Sequence, residues 1–76
     1  MGGKGERELP EYAVRLRALR QARNVSCRRV SEQCGLSHGM AHFYECGMKE
    51  PKATALIQLA EFYGVSVDYI LGREPP

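Results

Sequence analysis

The stretch SCRRVSEQCGLSHGMAHFYEC, residues 26–46, decides the fold of this chain. It opens with Ser26, a residue type that caps helix N-termini by accepting a hydrogen bond from a backbone N–H. Val30 and Cys34 follow at a spacing of four, which places both side chains on one face of a helix. Gly35 adopts a positive φ without steric cost and is therefore expected to end this first helix.

The second half of the stretch predicts another helix directly after a tight turn. Leu36 is expected to point inward, and Ser37 is expected to cap a helix over residues 38–46 that Gly47 ends. Two short helices joined by a glycine-containing turn pack at a large angle, and the second helix projects from the surface. The apolar stripe of this second helix would face the core and consists of Met40, Ala41 and Tyr44.

Three further helices flank this pair. Apolar spacing predicts a helix over residues 10–23 that Asn24 ends and a fourth helix over residues 54–63. Ser66 is expected to cap a short fifth helix that Gly72 stops. Because no segment alternates polar and apolar residues as a strand does, the predicted fold class is all-α with five short helices. The expected organisation is a flexible arm over residues 1–8, a domain over residues 9–72 and a tail over residues 73–76.

Length and composition favour one small globular domain. The chain has 76 residues, of which 43% are hydrophobic and 26% are charged, and its formal net charge is +2. These values argue against disorder, and no apolar run approaches the roughly 18 residues of a transmembrane helix. Since there is no such run, we expect no membrane partner. The three cysteines cannot all pair within one chain, so we expect reduced thiols and a cytoplasmic protein.

Positive charge is concentrated in one segment of the chain. Between residues 15 and 29 there is no acidic residue, and the segment contains Arg15, Arg17, Arg20, Arg23, Arg28 and Arg29. A local basic surface is typical of a module that binds phosphate groups, although a solvated helix face is an alternative interpretation. A helix that projects from such a surface fits the major groove of DNA, which is about 12 Å wide.

Several short motifs occur in a fixed order along most of the chain. They are Leu16-Arg17-Ala18-Leu19-Arg20, Val25-Ser26, Gly35-Leu36-Ser37, Glu45-Cys46-Gly47, Pro51, Leu59-Ala60 and Gly64-Val65-Ser66-Val67-Asp68-Tyr69-Ile70-Leu71-Gly72. Together they resemble the phage-repressor/Cro type of helix-turn-helix domain, in the xenobiotic-response-element group of bacterial and phage regulators. The resemblance implies a repressor-like, five-helix DNA-binding domain that often acts as a dimer on a two-fold operator.

The resemblance also implies roles for single residues. Base-edge contacts would come from the third helix, phosphate contacts from the second helix and from the loop after the third, and an ion pair would join Arg20 to Glu45. The residue types at Ser26 and Arg28 suit phosphate binding at the start of the second helix. Cys27 departs from the family pattern, because a thiol holds a phosphate poorly. The full set of expected DNA contacts is Ser26, Cys27, Arg28, Ser37, His38, Gly39, His42, Phe43, Met48 and Lys49.

Two other interpretations compete with DNA binding at this point. His38, His42 and Cys46 recur every four residues, a spacing that can hold Zn²⁺. Because such a triad on a groove-facing helix would compete with DNA, we expect no metal. The unusual Gly39, Phe43 and Cys27 also fit a protein-interaction module of the antitoxin or antirepressor type, since a fold does not dictate a function.

The leading hypothesis is a sequence-specific transcriptional regulator, expected to be a repressor, that reads the major groove of double-stranded DNA with residues 38–46. No catalytic triad, carboxylate pair or phosphate-cradling glycine loop occurs, so we expect no enzyme activity, cofactor or small-molecule substrate. A homodimer is expected, with half-sites about 34 Å apart. Candidates for its dimer surface lie on the last helix, namely Val67, Tyr69 and Ile70.

Overall fold

The computed structural model describes residues 8–74, and most of them lie in five α-helices. In chain order these are α1 (Glu11–Arg23), α2 (Cys27–Gln33), α3 (Met40–Glu45), α4 (Ala53–Tyr63) and α5 (Val67–Ile70). Over residues 8–74 the structure contains no strand, so the predicted all-α fold with five short helices is confirmed. No helix of this described part has both the length and the apolar character needed to cross a bilayer. Most of the expected N-terminal arm, residues 1–7, lies outside the described residues.

One hydrophobic core joins all five helices. Its largest fully buried side chains are Leu59 of α4, Ile70 of α5 and Val30 of α2. Leu16 of α1 and Tyr44 of α3 belong to the same cluster. Since Ile70 is completely buried, it cannot contribute to a dimer surface, and that part of the sequence-based expectation is wrong.

The predicted helix caps largely form as expected. The Oγ atoms of Ser26 and Ser66 accept hydrogen bonds from the backbone N–H groups of Arg29 and Tyr69, at 3.0 Å and 2.9 Å. Asn24 adopts a left-handed conformation with φ of 57° and ends α1. These local signals are reliable because each satisfies backbone groups that a helix end leaves unpaired.

The turn between α2 and α3 is held by two backbone hydrogen bonds around Gly35. With Gly35 at φ of +69°, its N–H donates to the carbonyl of Glu32, and the Leu36 N–H donates to the carbonyl of Ser31 at 2.8 Å. This pattern is a Schellman motif, which turns the chain sharply out of a helix. Leu36 is half-buried against the core, as the sequence predicts.

The start of α3 differs from the prediction. Gly39 has φ of +78°, which no α-helical residue adopts, so the helix begins at Met40 rather than at His38. Ser37 makes no side-chain cap for this helix. The buried Oγ of Ser31, on α2, instead accepts a hydrogen bond from the Ala41 N–H at 3.1 Å. A side chain of one helix therefore caps the next and fixes the two helices against each other.

Candidate nucleic-acid interface

Helix α3 packs on the domain with one face and leaves the other open. Ala41, Tyr44 and Glu45 are buried, whereas His42 is exposed and Phe43 is half-buried. Phe43 lies beside the bare backbone of Gly39, because a Cβ added there would sit 3.7 Å from Phe43 Cε2. The outward face of α3 therefore presents an imidazole and an aromatic ring to the solvent.

A surface groove of about 460 Å³ runs between α2 and α3. Five of the residues expected to contact DNA line it: Cys27, Arg28, His38, Gly39 and His42. Glu32 also borders the groove and accepts a hydrogen bond from Arg28 Nε at 3.3 Å. Both partners are largely exposed, and a surface ion pair of this kind contributes little, so the Arg28 guanidinium remains available to an anion.

An ion pair between α1 and α3 fixes the orientation of the interface. Arg20 Nε donates to both carboxylate oxygens of Glu45, at 3.0 Å and 2.8 Å, and Arg20 Nη1 donates to the Val25 carbonyl at 2.9 Å. The hydrogen bond to Glu45 raises the pKa of Arg20 above its ordinary value. This is the pair that the family resemblance implies. Glu45 is only 7% exposed and is ion-paired with Arg20. Its carboxylate therefore adds no negative charge to the open face of α3.

The loop after α3 is held in place by α1, by α3 itself and by Pro10 just before α1. The Tyr12 hydroxyl donates to the Lys49 carbonyl at 3.0 Å, and the Met48 N–H donates to the Phe43 carbonyl at 2.9 Å. Gly47, with φ of +72°, lets this loop pass so close to Pro10 that an added Cβ would approach Pro10 Cδ to 3.0 Å. The side chains of Met48 and Lys49 are thereby left exposed at the end of α3, where phosphate contacts are expected.

Two free cysteines, Cys27 and Cys46, lie near the interface and are half-buried. Burial, and secondarily the Glu45 carboxylate, raise the pKa of Cys27 above its ordinary value, which keeps that thiol neutral. Cys46 Sγ lies 3.5 Å from His42 Nε2. His38 precedes α3 and is not in helical register with this pair. Within residues 8–74, no three side chains of the metal-binding types converge on one point.

Arg17 lies beside the candidate interface but was not among the DNA contacts expected from the sequence. This exposed side chain of α1 lines a second groove together with His42 and Cys46 of α3. The sequence placed Arg17 in the basic segment of residues 15–29, but it gave no sign of which arginines in that segment are paired within the domain. Ser26 and Ser37, by contrast, are exposed as expected but line neither of these two grooves.

Comparison with known proteins agrees with this geometry. A family model described as a helix-turn-helix domain matches residues 11–69. The chain is 41% identical over 61 residues to the uncharacterized HTH-type transcriptional regulator YobD of Bacillus subtilis (strain 168), covering 80% of this chain and 54% of that protein. It is 33% identical over 60 residues to the HTH-type transcriptional regulator AnsR of the same organism, covering 79% and 52%. The chain thus spans about half the length of these curated relatives.

A solved structure shares the fold. The crystal structure of the P22 c2 repressor protein in complex with synthetic operator 9T superposes with a TM-score of 0.78, over 90% of this chain and 100% of that chain, at 24% identity. The predicted repressor-like architecture is confirmed by this likeness. Together with the family match over most of the chain, these findings show that the chain belongs to the helix-turn-helix domain family.

Proposed function

We propose that this domain binds double-stranded DNA in a sequence-specific manner and acts as a transcriptional regulator, a repressor, that performs no chemical step. The observation that carries this proposal is the open face of α3, with His42 exposed beside the α2–α3 groove while Glu45 is buried and paired. The relatives YobD and AnsR are both named as transcriptional regulators, which supports the same function.

Base recognition falls to the few side chains of the open face. His38 and His42 both border the α2–α3 groove and can donate or accept hydrogen bonds at base edges. Phe43 offers apolar contact to the methyl group of thymine. Gly39 carries no side chain, so the backbone between the two histidines can approach the bases closely. The interface is therefore suited to a short base sequence read with few hydrogen bonds.

Affinity comes from the phosphate backbone. Arg28 is exposed at the start of α2, and Lys49 is exposed in the loop that follows α3. In the sequence, Arg28 precedes α3 and Lys49 follows it. Phosphate contacts of this type position the protein without reading sequence, and they release counterions. Binding is therefore expected to weaken as the salt concentration rises.

Because α3 is short, one copy of the chain can contact only a few base pairs. Six residues span about 9 Å at 1.5 Å per residue, which corresponds to about three base pairs at 3.4 Å per pair. Three base pairs cannot define a unique site in a genome. We infer that the chain acts as a homodimer on two half-sites separated by about 34 Å, in the reducing cytoplasm that its free cysteines suit.

The test is selection of random duplexes on the purified protein, followed by sequencing and footprinting of the enriched DNA. The expected result is one enriched sequence with two-fold symmetry and half-sites about one helical turn apart. Affinity should fall by about 10³-fold or more between 50 and 200 mM salt if six or more phosphates are contacted. Absence of any enriched sequence, or affinity independent of salt, would contradict the proposal.

A second candidate function is a protein-interaction module on the same scaffold. It is favoured by Met48, which is 63% exposed and whose backbone N–H donates to the carbonyl of the half-buried Phe43. Exposed apolar groups of this kind often mark protein contacts. Failure to bind any duplex at low salt, combined with stoichiometric capture of a protein partner that the Phe43→Ala variant does not capture, would favour this alternative.

A further inference from the structure

We propose that Arg17 of α1 contacts a DNA phosphate, so that the interface extends beyond the helix-turn-helix unit onto the first helix. This inference rests on the proposed function and adds one anchoring residue to it. Arg17 is exposed, and over residues 8–74 it forms no hydrogen bond or ion pair with another side chain. An exposed guanidinium of this kind keeps all its donors for an external anion.

The other arginines of α1 are engaged inside the domain. Arg15 donates to Glu11 and to the Glu74 carbonyl and lies over the ring of Tyr69. Arg23 donates to two carbonyls at the end of α4, and Arg20 is paired with Glu45. Of the four arginines on α1, Arg17 alone is therefore left without a partner in the described part of the chain.

The position of Arg17 connects it to the DNA-binding face. It lines a groove of about 160 Å³ between α1 and α3, which Cys27 and His42 also line. Cys27 and His42 line the larger α2–α3 groove as well, so the two grooves are neighbours that share these two side chains. A duplex that contacts His42 would consequently bring its backbone within reach of the long Arg17 side chain.

The charge of the small groove favours an anion. Arg20 and Glu45 also line it, but they neutralise each other through their ion pair. Cys27 is a neutral thiol and a weak hydrogen-bond donor, so it can add little to anion binding. Arg17 then supplies the net positive charge, and a guanidinium fits the two free oxygens of a phosphodiester through paired hydrogen bonds.

The test compares the salt dependence of DNA binding for the wild type, Arg17→Gln and the control Arg73→Gln. Arg73 is also exposed, but it follows α5 and lines neither groove. For Arg17→Gln, the slope of log affinity against log salt should decrease in magnitude by about 1, and affinity should fall about 3- to 10-fold on matched and scrambled duplexes alike. The Arg73→Gln variant should behave as the wild type.

The outcomes separate this inference from the function on which it rests. If the wild type binds and Arg17→Gln keeps the same slope and affinity, the Arg17 contact is wrong while DNA binding stands. If the wild type binds no duplex, both proposals fail. Thermal unfolding of Arg17→Gln should match the wild type, because over residues 8–74 the side chain makes no hydrogen bond or ion pair that the substitution would remove.

Discussion

Two arginines of α1 and Arg28 of the open face of α2 and α3 are used in opposite ways. On α1, the half-buried Arg20 and the exposed Arg23 both reach acceptors of neighbouring helices, namely a carboxylate and two carbonyl oxygens. On the open face, the Arg28 side chain is 81% exposed, and its one ion-pair partner among residues 8–74 is Glu32, whose side chain is 58% exposed. The comparison shows that a cluster of positive charge in a sequence does not by itself define a binding surface. The groups that surround each arginine decide whether it stabilises the domain or remains available to a ligand.

Helix α3 shows the same division within a single turn. Glu45 faces inward and is paired, whereas His42, three residues earlier, faces the solvent. A carboxylate on the open face would repel phosphate, so its burial preserves an interface that can accept DNA. The ion pair of Arg20 and Glu45 thus serves stability and binding together.

The largest effect on stability is expected when Arg20, the cation of the buried ion pair, is removed. Arg20→Ala leaves the Glu45 carboxylate buried without its cation, which should lower the free energy of unfolding by about 3 kcal/mol. Chemical denaturation followed by circular dichroism measures the change. The matched control is Arg17→Ala, which removes an exposed arginine three residues earlier on the same helix and should cost about 0.5 kcal/mol or less. If both variants lost the same free energy of unfolding, the distinction between arginines paired within the domain and arginines left available would be contradicted.

A smaller effect is expected at the two serines of the helix-turn-helix unit. Ser31→Ala removes the buried acceptor for the Ala41 N–H and should destabilise the domain by about 1.5 kcal/mol. Ser37→Ala should have almost no effect on stability, because Ser37 is exposed and does not cap α3. Thermal unfolding of the two variants provides the measurement. A greater loss at Ser37 than at Ser31 would show that the helix is capped in the way the sequence pattern indicates.

Much of the fold was predictable from local signals. The caps at Ser26 and Ser66 and the end of α1 at Asn24 depend on residues within a few positions of one another, and each is present in the structure. The apolar stripe of α3 was predictable for the same reason, because helical periodicity alone places Ala41 and Tyr44 on one face.

Apart from the start of α3, which the local backbone of Gly39 shifts to Met40, the errors involve contacts between distant parts of the chain. The true cap of α3 comes from Ser31, ten residues before Ala41 and on another helix, so the sequence around Ser37 contained no sign of it. Ile70 resembled a surface residue in a short final helix, but its burial depends on how α5 packs on α1 and α4. The availability of Arg17 could not be read either, because it depends on which acceptors the other arginines find.

The most direct test of the central claim is the specificity of His42→Ala. The measurement is the ratio of affinities for the selected operator and a scrambled duplex, at one fixed salt concentration. Loss of a single base-edge hydrogen bond should lower this ratio by about fivefold, or about 1 kcal/mol, while Arg28→Ala lowers both affinities and leaves the ratio unchanged. If a folded His42→Ala variant keeps the full ratio, the open face of α3 does not read the sequence and the account is wrong.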